Sequence, residues 1–87
     1  MPLFLVTFRL SKKKTDYTPF LGKISSFPSI RLSDSSYVIE TAMNPYNIFL
    51  ELVENLDEDD NLWIIRITKP FWGNGTLLER EWLDLHL

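Results

Sequence analysis

Apolar and polar positions follow two rhythms along this chain, one of strands and one of helices. Residues 3–10, LFLVTFRL, are apolar at most positions and then turn basic, as a buried strand ending in an exposed tip would be. Tyr17, Phe20, Ile24 and Phe27 recur at helical spacing. Thr15 or Asp16 is available as a cap, and Pro19 is tolerable because it falls in the first turn. Pro28 stops that helix. SIRL and SYVIET are short β-type runs joined by a polar SDS turn, which predicts a hairpin over residues 29–41. Asn44 caps a second helix with Pro45 at its first position, and Ile48, Phe49, Leu52, Val53 and Leu56 form its buried stripe. An acidic loop follows, then LWIIRIT over residues 62–68 as the last core strand, ended by Pro70. TLLEREWLDLHL forms a short C-terminal helix, opened by a capping box of Thr76 and Glu79.

The order strand, helix, strand, strand, helix, strand predicts an α+β chain of ferredoxin-like βαββαβ type. It would have a four-stranded antiparallel sheet with two helices on one face, plus the C-terminal helix. Residues 1–69 form the core in this reading, and residues 70–87 a tail packed on the sheet or on a second subunit. Right-handed crossovers are taken to place the first and last strands at the centre. Period-two alternation then turns Phe4, Val6, Phe8, Ile30, Leu32, Tyr37, Ile39, Trp63, Ile65 and Ile67 towards the helices. Leu3, Leu5, Val38, Leu62 and Ile64 remain on the other face with Arg9, Arg31, Arg66 and Glu40. An apolar patch of that kind on a small domain needs a cover. The tail, with Phe71, Trp72, Leu78 and Trp82, is one candidate, and a second copy of the chain is the other, so a homodimer is expected. Leu3, Leu5, Leu62, Ile64, Trp72 and Trp82 are the interface candidates.

Composition narrows the class. The 87 residues leave room for one modest core. At 45% hydrophobic residues the chain is too apolar for disorder, yet no run approaches the roughly 18 apolar residues of a membrane span. A soluble domain without a membrane partner is expected. MPLFLVTF lacks the basic n-region of a secretory signal, which points to a cytoplasmic location. The lack of cysteine excludes disulfides, thiol catalysis and thiolate zinc sites, and the single His86 cannot form a histidine cluster. No metal or cofactor is expected, and no catalytic residue is assigned, because a serine or threonine nucleophile would find no partner base. A formal charge of −3 argues against a dedicated nucleic-acid binder.

FLVTFRL, DYTPFLGKI, SSYVIET and LVENLDEDDNLWIIRIT follow one another in this order, and a Trp-rich end, WGNG to EWLDLHL, closes the chain. This arrangement resembles the small bacterial and phage proteins of the SinR family. Those are similar in turn to the small subunit of the CRISPR spacer-adaptation complex and to the VapD ribonucleases. The resemblance implies a ferredoxin-like homodimer, sheet against sheet, with relevance to nucleic acid. In the nuclease-like relatives the first strand ends in a YDL-type pattern, whose aspartates from two subunits hold a divalent cation. Here the same place reads Phe8, Arg9, Leu10. A guanidinium removes the oxygen ligand and would repel the metal, so the resemblance predicts lost cleavage at that site.

Arg9 suits phosphate or carboxylate recognition, and Lys12, Lys13 and Lys14 follow it. With Arg31 and Arg66 they are the candidates for binding nucleic acid or another anion, although a solvated loop and snorkelling arginines describe the same residues. The acidic run over residues 57–60 reads as a solvated connection, without the spacing of a calcium loop. DNA mimicry or contact with a basic partner is its alternative. Trp63 is read as core, and Trp72 as an anchor of the tail across the sheet or into another protein. Two functions follow. The first is a non-catalytic binding module on a nuclease-like scaffold, a homodimer that binds a protein in preference to nucleic acid. A phage or mobile-element inhibitor of a host system would be one such protein. The second is a metal-dependent ribonuclease of the VapD type.

Overall fold

A computed structural model of the chain describes residues 1–12 and 16–87. Its elements are β1 (Leu3–Arg9), α1 (Thr18–Ser25), β2 (Ser29–Ser33), β3 (Ser36–Glu40), α2 (Pro45–Val53), β4 (Asn61–Ile67) and α3 (Leu77–His86). The fold is α+β, a ferredoxin-like βαββαβ arrangement with a C-terminal helix. Local chemistry places the helix ends. The Asn44 side chain accepts from the Asn47 amide at 2.9 Å, with Pro45 in the first turn of α2. In α3 the expected capping box is present: the Glu79 amide donates to the Thr76 hydroxyl, and the Thr76 amide to the Glu79 carboxylate. The start of α1 departs from expectation. Its cap position is Tyr17, with no side-chain cap, while Asp16 accepts from the Thr18 amide one step earlier.

The four strands run in the order β2-β3-β1-β4, every neighbouring pair antiparallel. This corrects the expected centre: β1 and β3 are central, and β4 is an edge. Each βα crossover skips one strand position, and a strand of the other βαβ unit fills the gap. Phe4, Val6 and Phe8 of β1, with Ile39 of β3, pack against Phe20 and Ile24 of α1 and Ile48 and Leu52 of α2 to make the core. The Phe8 ring meets Phe20 edge-on at 5.0 Å and stacks beside Tyr37. Leu62 and Ile64 of β4 border the same core.

Register decides the faces, because residues directly opposite in a ladder share a side. Phe4, Val6 and Phe8 stand opposite Arg66, Ile64 and Leu62, while Leu3, Leu5 and Thr7 stand opposite Ile67, Ile65 and Trp63. The expected sides of β4 are therefore exchanged: Leu62, Ile64 and Arg66 lie on the helix side, and Trp63, Ile65 and Ile67 on the open side. Ile30, opposite Val38, also moves to the open side, and Arg31, opposite Tyr37, to the helix side. Leu32, placed at a register irregularity between Arg31 and Ser33, is exposed and not in the core.

Candidate interaction surface

The basic candidates do not come together. Arg9 closes β1 on the open side, opposite Asn61, and is exposed. With Thr7, Phe8, Asn61 and Trp63 it lines an open depression of about 160 Å³. Arg66 stands at the opposite end of β4 and on the helix side. Arg31 lies on the far edge of the sheet, where its Nη2 donates to Asp34 Oδ1 at 2.7 Å and its Nε to the Ser33 carbonyl at 3.2 Å. The half-basic open face of the sequence reading is thus corrected to one arginine, Arg9, with the other two turned away by register. Lys12 is exposed with φ of 65°, in the left-handed region. Lys13 and Lys14 lie outside the described residues.

Behind this tip is a polar clamp that the sequence did not reveal. Asp60 Oδ1 accepts from the Ser11 amide at 2.7 Å, the Ser11 hydroxyl at 2.9 Å and the Tyr17 hydroxyl at 2.9 Å. Its Oδ2 accepts from the Asp57 amide at 2.8 Å. Burial raises the pKa of this carboxyl, but the donors from Ser11, Asp57 and Tyr17 outweigh it and hold the pKa below the usual aspartate value. Asp60 thereby ties the β1–α1 connection to the α2–β4 connection. Two of its donor residues, Ser11 and Tyr17, are far away in sequence, so only the solvated acidic run around it was legible. Among the described residues no three acidic or histidine side chains converge as a metal site.

The apolar candidates divide between buried and exposed. Leu3 and Val38, on the open side, are only 2% and 1% exposed. They lie outside the helix-side core, so this half of the open face has a cover; α3 contacts β2, the strand beside Val38. Trp82, half-buried, stacks on His86 at 3.9 Å between centroids, and His86 Nδ1 lies 2.7 Å from the Trp82 carbonyl. The other half of the open face has no such cover. Trp63 is 67% exposed and Ile65 48%, with half-buried Leu5 beside Ile65. Trp63 is therefore not core. Trp72 is 98% exposed and does not anchor the tail on the sheet. Leu77, Leu78 and Leu85 of α3 are exposed as well. Leu62 and Ile64, expected at an interface, are instead half-buried against the helix layer.

Among the described residues no helix is long and apolar enough to cross a membrane. Compared with protein-family models, with curated proteins and with solved structures, the chain matches none.

Proposed function

We propose that this chain is a non-catalytic binding module, built on a nuclease-like scaffold, which associates with itself and acts by contact with a protein. The observation that carries this reading is the pairing of exposed apolar side chains, Trp63 and Ile65, on the open side of an edge strand. Aromatic and branched side chains are costly to leave in water and are typical anchors of protein contacts. A protein is favoured over nucleic acid because the arginines are dispersed and Arg31 is already paired with Asp34. A phage or mobile-element protein that inhibits a host system is the finer form of the reading, and it rests on the SinR-type resemblance.

The test is affinity capture from a lysate of the native cell, with and without nuclease, using wild type and a Trp63→Ala, Trp72→Ala variant. A stoichiometric protein that survives nuclease and is lost in the variant is the expected result. Recovery of nucleic acid alone, released by salt and lost in an Arg9→Ala, Lys12→Ala variant, would overturn it. So would metal-dependent cleavage of single-stranded RNA by the purified chain.

A further inference from the structure

The two edges of the sheet are protected very differently. β2 has five residues, its register with β3 breaks between Arg31 and Ser33, and α3 lies against it. Short length, a bulge and a covering helix are the usual ways in which an edge strand is kept from pairing. β4 is neither short nor bulged, and the helix it meets, α2, packs on its core side. The strand runs for seven residues without proline, pairs with β1 in unbroken register, and carries a single charge, Arg66. Among the described residues no turn or loop hydrogen bond reaches residues 61–67, so within them the outward amides and carbonyls of β4 have no backbone partner.

We propose that β4 is the pairing edge for a second copy of this chain. Two β4 strands align antiparallel about a two-fold axis through Ile64 and join the two sheets into one. The proposal rests on the binding-module reading above and names the partner of the surface that holds Trp63 and Ile65.

The strand's own sequence selects this partner. In the one two-fold register that uses all seven residues, Asn61 faces Ile67, Leu62 faces Arg66, Trp63 faces Ile65, and Ile64 faces its own copy. Every pair joins residues of the same side, so the helices of both copies stay on one side of the joined sheet and their open faces merge. Trp63 of each copy covers Ile65 of the other, an aromatic against a β-branched residue, which is a favourable cross-strand pair. Arg66 meets no like charge, since it faces Leu62. The interface is isologous and closes on itself, leaving the short, covered β2 strands as the outer edges. A strand from an unrelated protein would need to match this spacing, whereas a second copy carries it by construction.

The experiment combines sedimentation equilibrium with amide hydrogen exchange on the full chain across a concentration series. A reversible dimer is expected, with the outward amides of residues 61–67 gaining protection as it forms. Trp63→Lys and Ile65→Lys, at exposed positions, are each expected to weaken dimerisation about tenfold, because the two-fold axis removes two cross-strand pairs at once. Their circular dichroism should match wild type. The chain has no cysteine, so a mixture of Trp63→Cys and Ile65→Cys chains should form the mixed disulfide faster than either chain alone forms its own. A monomer at the highest soluble concentration overturns the proposal. A dimer that keeps its β4 amides unprotected and survives both lysine variants also overturns it, in favour of face stacking or tail contact. Protection of β4 only on adding another protein overturns it too, while leaving the binding-module reading intact.

Discussion

Among the described residues Asp60 accepts four hydrogen bonds, from Ser11 twice and from Tyr17 and Asp57 once each. Replacing it by asparagine exchanges one acceptor oxygen for an amide that faces donors. Asp60→Asn is therefore expected to lower stability by about 1–3 kcal/mol in urea denaturation at neutral pH. The pH dependence has a definite sign. A carboxyl whose folded pKa lies below its usual 3.8 stabilises the fold fully above that value. The contribution disappears as pH falls through the depressed folded pKa. The deficit of Asp60→Asn should thus be largest near neutrality and shrink in strongly acidic buffer. A deficit that is constant with pH would refute the assignment. Asp60 escaped sequence reading because its donors, Ser11 and Tyr17, lie 49 and 43 residues away. Composition identifies an acidic run, whereas only the fold shows which of its members is satisfied. By contrast, Arg31→Ala removes an exposed, screened pair and should change stability by no more than about 1 kcal/mol.

The starts of α2 and α3 were legible in the sequence, that of α1 was not, and strand faces were only partly so, for a physical reason. A cap is made by residues three apart, so Asn44 with Pro45, and Thr76 with Glu79, announce their helices locally. A strand's side is set by its neighbours. In β1, Thr7 and Arg9 mark the open side, and Phe4, Val6 and Phe8 were placed correctly. β4 is apolar at both parities, with Leu62 and Ile64 on one side and Trp63, Ile65 and Ile67 on the other. Assigning its largest residue to the core chose the wrong parity, and pairing with β1 decided otherwise. The elements also differ in how damage spreads. Leu52, fully buried in α2, should cost about 2–5 kcal/mol as Leu52→Ala, and all probes should report it together. Thr76→Ala removes a cap from the exposed helix α3 and should cost about 1 kcal/mol. Its effect should appear as faster amide exchange in the first turn of α3, with protection of the sheet retained. Equal loss in both places would show that α3 is more tightly coupled to the sheet than its exposure indicates.

At the scale of the whole molecule, the element order was readable but the strand order was not. Right-handed crossovers constrain handedness, and they leave open which strand occupies the skipped position. The answer, β3 next to β1, gives the sheet one covered and one open half on the face opposite α1 and α2. α3 contacts β2 beside the covered half, so a chain ending at Lys69 is expected to expose Leu3 and Val38. Loss of that burial is expected to cost about 3 kcal/mol in urea denaturation and to reduce solubility. An unchanged midpoint would mean that the tail contributes nothing to the fold. The same strand order has a consequence for the nascent chain. β1 is synthesised first, yet its two ladders are with β3 and β4, and Leu3 finds its partner at Ile67. The central strand of the sheet must therefore wait, unpaired on one side, until nearly all later elements have been made. Closure of that long loop is the slow step that topology imposes, and folding should be cooperative and late, with no stable half-sheet along the way.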